Sequence, residues 1–214
     1  VVQLAFSMIF HIVQKLDYYK KYVDVGNWQK SQIFTHIDKP FFELDGKKVG
    51  IIGLGDIGRN FAKKARAFDC EVMYFSTSGK NSNSEYKQVS LDELLSTCDI
   101  ISIHCPLNEN TKDLLNYKNM KNIKDGAILL NLGRGGIINE PDLAKIIDEK
   151  EIYCGIDVVA VEPILESNPL LKVKNKDRLL LTPHIGWASI EARTRLVKMV
   201  AENIKEFISQ KRIS

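Results

Sequence analysis

The chain has 214 residues, 44% of them hydrophobic, enough to bury a core the size of one large domain. Its 30 basic and 27 acidic residues are spread along the chain and leave a net charge of +3, without the concentrated basic patch expected of a nucleic-acid binder. The four cysteines, Cys70, Cys98, Cys105 and Cys154, form no CxxC pair and lie in or beside apolar segments, which argues against a disulfide frame or a zinc site and for a reduced, cytoplasmic protein.

The opening VVQLAFSMIF breaks at His11 and Gln14, short of a bilayer span, and carries no charged leader or cleavage signal, so neither a membrane nor a secretory role is expected. Leu4, Met8, Ile12, Leu16 and Tyr19 recur with a helical period, predicting one helix over 1–23. Its first half is apolar nearly all round, which implies burial against more than one surface and makes it the expected contact of a two-fold homodimer. Residues 24–45, with Gly26, Trp28 and Pro40, read as an irregular connector.

After Gly46 strands and helices alternate. Strands are predicted at 47–53, 71–76, 99–105, 127–132, 152–159 and 179–182, each short, apolar and rich in β-branched residues. Phe61, Ala62, Ala65 and Phe68 mark a helix behind the first strand, Ser90 and Glu93 fit a capping box, and Asn139 can cap a helix running to Lys150. The Lys-rich stretch 118–124 reads as a solvated helix face. A long amphipathic helix follows from Ile190 to Ile208, with Leu196, Val197, Val200, Ile204 and Phe207 on one face. The pattern predicts a doubly wound α/β domain with a parallel sheet covered on both faces.

GLGDIG places Gly53, Gly55 and Gly58 between the first strand and a helix. The first glycine suits a tight turn, the second lets a pyrophosphate approach the backbone, and the third lets helix and strand pack closely. A dinucleotide is therefore the expected ligand. An NAD binder should carry Asp or Glu at the end of the second strand, to hold the ribose hydroxyls. Here Ser76 stands there, while Asp69 and Glu71 come too early. Ser76, Thr77, Ser78 and Lys80 could instead donate to a 2′-phosphate, which leans toward NADP or relaxed specificity.

Ligands of such sheets bind outside the carboxyl ends of the strands. Those ends carry Arg134 in NLGRGGIIN, Asp157 and Glu162 in GIDVVAVEP, and His184 in TPHIGWAS. A guanidinium, a carboxylate and an imidazole at one edge, beside a dinucleotide loop, form a coherent catalytic set. His11 and His36 have no evident partners and read as structural, and packing is the expected role of His104. Trp187 reads equally as a packing residue or a wall of the substrate pocket.

GLGDIG, CPLNENT at 105–111, LLNLGRGGIIN, GIDVVAVEP and TPHIGWAS stand in the order and spacing of the D-isomer-specific 2-hydroxyacid dehydrogenases, and the chain resembles that family over essentially its whole length. The STSGK and HIGWAS details look most like its glycerate dehydrogenase/hydroxypyruvate reductase branch. The resemblance implies a hydride transfer between a nicotinamide cofactor and a 2-hydroxy acid or 2-oxo acid. Arg134 would bind and polarise the oxo acid, His184 would be the acid/base with Glu162 as its partner, and Asp157 would hold the nicotinamide amide. Asp56, Ile57, Ser76, Thr77, Cys105, Pro106, Thr111, Leu132, Gly133 and Gly186 would complete the cofactor groove, with no metal. Ser76 departs from the family's usual acid.

The resemblance also frames the domain organisation. Residues 1–188 are expected to form the dinucleotide-binding domain, with 1–45 as lead-in helix and connector, and 189–214 to return to a substrate domain not present here. The favoured expectation is a fragment of a longer enzyme. The competing reading is a shortened, dinucleotide-sensing interaction protein, like the transcriptional corepressors of this fold, and a methyltransferase reading leaves Arg134, Glu162 and His184 unexplained.

Overall fold

The computed structural model describes residues 1–79 and 85–211. Seven parallel strands form one sheet: β1 Lys48–Ile52, β2 Glu71–Phe75, β3 Lys87–Gln88, β4 Ile100–Ile103, β5 Ile128–Asn131, β6 Tyr153–Ile156 and β7 Leu179–Leu181. They lie in the order β3-β2-β1-β4-β5-β6-β7, so the winding reverses between β1 and β4. The register there pairs Ile52 with Phe75 on one side and with Ile103 on the other.

Alternation along the strands feeds two cores. Val49, Ile51, Ile100, Ile128 and Leu130 face one side, where helices α1 (Val2–Gln14) and α3 (Asp56–Arg66) cover them. Ile52, Ile101, Ile103, Leu129 and Ile156 face the other, beneath α4 (Leu91–Thr97), α5 (Tyr117–Met120) and α6 (Glu140–Glu149). Both faces are buried, as an all-parallel sheet requires. Gly50 lets α4 sit close on β1, since a Cβ there would lie 2.6 Å from Leu94 Cγ.

Several expectations change in detail. The helix over 1–23 is two helices, α1 and α2 (Leu16–Asp24), because Lys15 between them is left-handed at φ 51°. The buried face of α1 is Ala5, Phe6, Met8, Ile9 and Val13, whereas Leu16 is 53% exposed. The apolar first half packs against the chain's own sheet through these residues, while Val2, Leu4, Phe10 and Ile12 stay only partly buried. The connector 24–45 contains a 3-10 turn at Trp28–Lys30. The Lys-rich stretch is not simply a solvated face: it holds the short α5 and anchors through buried Met120 and Ile123. Ser90 caps α4 by accepting from the Glu93 amide at 3.1 Å, but the Glu93 carboxylate pairs with Lys87 at 2.8 Å, so only half of the capping box forms. Strand β3, two polar residues long, has no counterpart in the hydrophobic pattern.

The last helix, α7 (Ile190–Lys211), leaves its apolar stripe exposed, from 49% at Val200 to 67% at Val197. Among the described residues no helix is long and apolar enough to cross a membrane. His11 and His36 have partners after all. His11 meets Asp17 at 3.2 Å, while His36 bonds the Tyr18 hydroxyl at 2.8 Å and stacks on Tyr22.

Candidate active site

At the carboxyl end of β1 the chain turns at Gly53, whose φ of 94° suits glycine and whose missing Cβ would lie 2.8 Å from the Cys105 backbone. Gly58 packs α3 onto that turn, with a virtual Cβ only 2.3 Å from the Gly53 carbonyl oxygen. Gly55, the N-cap of α3, is different: a Cβ there meets nothing within 4 Å, and no side chain caps the helix. Open room in front of uncapped amides at a helix start is an anion site. Asp56, the first residue of α3, is ion-paired with Arg59.

The groove continues past the end of β2. Ser76 is 8% exposed, and its buried hydroxyl has no hydrogen-bond partner among the described residues. Such a group is costly unless something bonds it. With Thr77, Gly53, Gly55, Cys105 and Pro106 it lines a cavity of about 220 Å³. Lys80 lies outside the described residues. Thr111 is fully buried and does not reach the groove wall; its hydroxyl donates to the Pro106 carbonyl at 2.6 Å and accepts from the Asn108 amide at 2.8 Å, so it braces the loop instead.

Cys105 and Pro106 also border a second cavity of about 610 Å³, walled by Ile57, Leu132, Gly133 and Arg134. Asn131, 2% exposed, shapes the Arg134 turn by donating to the Arg134 carbonyl at 3.0 Å and accepting from the Gly133 amide at 3.1 Å. The exposed Arg134 guanidinium folds onto the Gly133 carbonyl at 2.8 Å. His104 stands where the two cavities meet, bonded to Ser102 at 2.9 Å. Burial pushes its pKa down and keeps the ring neutral.

The third wall comes from β6 and β7. Asp157, 2% exposed, grips the turn after β7 with both oxygens. Oδ1 accepts from the Thr182 hydroxyl at 2.5 Å and the Ile185 amide at 2.9 Å, and Oδ2 accepts from the Gly186 amide at 2.8 Å. This turn carries His184 at a φ of 52°. His184 Nδ1 lies 2.6 Å from Glu162 Oε2, and Glu162 Oε1 accepts from the Val159 amide at 3.1 Å. Burial alone would raise the Glu162 pKa; the bond from His184, the Val159 amide and the charges of His184 and Arg134 outweigh it, and the pKa is lowered. Arg134, Glu162 and His184 thus converge electrostatically. Trp187 is half exposed.

The arrangement matches a known family. Residues 6–186 match the family model described as D-isomer specific 2-hydroxyacid dehydrogenase, NAD binding domain. The chain belongs to this family. It is 39% identical over 211 residues to a hydroxypyruvate reductase from Blautia hydrogenotrophica, covering 96% of this chain and 64% of the relative. It is 34% identical to a glycerate dehydrogenase from Methylorubrum extorquens, covering 99% and 64%. Among solved structures, D-lactate dehydrogenase from Aquifex aeolicus complexed with NAD and lactic acid superposes with a TM-score of 0.87 at 25% identity, over 98% of this chain and 66% of that one. An acyclic imino acid reductase in complex with NADPH and D-Arg gives 0.83 at 30% identity, over 98% and 64%. The chain spans about 64% of the length of these curated relatives. Within the family's NAD-binding domain, the residues that pattern reading passed over are Asn131, Thr182 and Glu140; the first two are polar residues closing apolar strands, a signal the sequence does contain.

The lowered Glu162 pKa sets a pH dependence. A carboxyl lowered in the folded state contributes stability above its ordinary value of 4.5, and that contribution is lost as pH falls through the folded value. Thermal midpoints of the protein and of Glu162→Gln should therefore differ at neutral pH and converge in acid. A difference that stays constant with pH would contradict the pairing.

Proposed function

We propose that this chain is the cofactor-binding part of a nicotinamide-dependent enzyme that interconverts a 2-oxo acid and a D-2-hydroxy acid. The observation that carries the reading is the 2.6 Å contact between His184 Nδ1 and Glu162, at the sheet edge that also bears the glycine loop and Arg134. An ionised carboxylate only accepts, so Nδ1 carries the proton and Nε2 is left for a substrate. In the reducing direction the imidazolium gives its Nε2 proton to the substrate carbonyl oxygen, and Glu162 stabilises the charged ring beforehand. Arg134 forks onto the substrate carboxylate and the neighbouring oxygen, where negative charge develops. The bound reduced nicotinamide supplies the hydride that the carbonyl carbon takes up. Hydride and proton together convert the oxo group to a hydroxyl. Asp157 braces the His184 turn, and its Oδ2, which accepts only from the Gly186 amide, keeps acceptor capacity for the nicotinamide amide.

The residues present fit a dinucleotide. Gly55 leaves room before the α3 amides for a pyrophosphate, and the orphaned Ser76 hydroxyl faces the ribose end of the groove. With no carboxylate at that position, a 2′-phosphate is not repelled, so NADP is accepted alongside NAD. The similar acyclic imino acid reductase in complex with NADPH and the D-lactate dehydrogenase complexed with NAD support either choice. Hydroxypyruvate or glyoxylate is the proposed substrate, supported by the names of the hydroxypyruvate and glyoxylate reductases to which the chain is similar. The partly exposed apolar residues of the first half of 1–23, together with exposed Trp28, Ile33, Phe34, Ile37 and Phe41, form the proposed homodimer contact. Light scattering on the protein carrying this chain should then read twice its subunit mass, and the single mass would refute the dimer.

Turnover tests the reading. The protein carrying this chain should oxidise NADH and NADPH with hydroxypyruvate, and Ser76→Asp should shift the ratio toward NADH. His184→Ala should lower turnover by at least about a hundredfold, the scale of general acid–base catalysis, while cofactor affinity holds. Cofactor binding without turnover in the unaltered protein would instead favour a dinucleotide-sensing role.

A further inference from the structure

The loop bearing Glu162 leaves β6 at Asp157 and regains regular structure only at the 3-10 turn Pro169–Lys172. Glu162 serves His184 only while this loop is held still. Its restraint comes from outside the loop. Glu140, the first residue of α6, accepts from the Ala160 amide at 2.5 Å through Oε1 and from the Asn168 side chain at 2.7 Å through Oε2. Asn168 is itself buried, with its own oxygen accepting from the Leu170 amide at 2.9 Å. Beside this clamp the Arg134 turn presses on the same loop: a Cβ on Gly135 would lie 2.0 Å from the Val159 carbonyl. The Val159 amide then reaches Glu162.

An acid in the first turn of a helix is favoured by the helix dipole in any context. Three observations set Glu140 apart from that general role. Asn139 already caps α6 by accepting from the Asp142 amide at 3.2 Å. Asp142, the other acid of the turn, reaches the opposite way, to the Tyr117 amide at 2.8 Å. Both Glu140 oxygens are committed to residues 20 and 28 positions away, in the one loop that carries the partner of His184. Hydrogen bonds to an ionised acceptor are stronger than neutral ones, so this clamp is stiffer than backbone contacts alone.

We propose that Glu140 is a positioning residue, clamping the 157–170 loop so that Glu162 keeps its hydrogen bond to His184 Nδ1 and its place beside Arg134. Its catalytic meaning rests on the dehydrogenase reading; the clamp itself does not.

The test is the tautomer of His184, read from ring ¹⁵N shifts in histidine-labelled protein, with His184→Gln identifying its signal among the four histidines. The unaltered protein should show the Nδ1-protonated tautomer. Glu140→Ala should lower the ratio of that tautomer to the other by about tenfold or more, as expected when a bond to a charged group is lost. Glu140→Gln, which keeps one acceptor, should fall between, with α4 amide signals unchanged in both variants. An unchanged tautomer ratio in the two variants would overturn the proposal and leave Glu140 a stabiliser of the fold. If Glu140→Ala does not fold, Glu140→Gln decides alone, and a ratio equal to that of the unaltered protein overturns the clamp. A tautomer that responds in a protein without turnover would retain the clamp and refute the dehydrogenase reading.

Discussion

Seven strands run parallel, and so all seven carboxyl ends open on one edge. Everything chemical in this molecule follows from that constraint. The turns after β1, β2, β4, β5, β6 and β7 are forced to share one rim, however far apart they are in the chain. Where the strand order reverses between β1 and β4, the flanking turns diverge and leave a crevice. The crevice is held open at backbone level. Gly53 and Cys105 approach so closely that no side chain fits between them, and Gly58 does the same for α3.

The rim also concentrates carboxylates, which are expensive to bury unless donors meet them. Asp157 is met by a hydroxyl and two amides of the His184 turn. That grip offsets the cost of a left-handed histidine, on the order of 1 kcal/mol or more. Glu162 is met by His184 and the Val159 amide, and Glu140 by Ala160 and Asn168. Each acid ties a loop from one strand to a loop from another, so the edge behaves as a braced frame. Ser76 is the exception, a buried hydroxyl with no partner among the described residues. An unsatisfied group facing a groove is what a ligand would relieve.

Much of this could be read in the residues. The short apolar, β-branched runs became strands within a residue or two of their expected ends, except that β6 stops three residues early at Ile156, because a sheet buried on both faces needs such runs. Arg134, Glu162 and His184 were legible because each follows a strand end. The phase of α1 was misread as the Leu4, Met8, Ile12 stripe, since a helix apolar nearly all round offers several stripes of the same period, and the buried one is Ala5, Phe6, Met8, Ile9 and Val13. Strand β3 escaped notice because two polar residues at a sheet edge need no hydrophobic pattern. Glu140 drew no attention in the sequence, where its place in the first turn of α6 is an ordinary one for an acid, and only the three-dimensional course of the loop after β6 gives it a further role. Thr111, at home in a family motif, turned out to brace its own loop.

The central claim is that the open space before α3 holds a dinucleotide pyrophosphate. Gly55→Val addresses it most directly, because a Cβ there touches nothing within 4 Å and the backbone at φ −76° accepts any residue. Titrating reduced cofactor by its fluorescence should give at least about a hundredfold weaker binding in the variant, a loss of near 2.7 kcal/mol. Its thermal midpoint should stay that of the unaltered protein. Undiminished binding in a well-folded Gly55→Val protein would contradict the account.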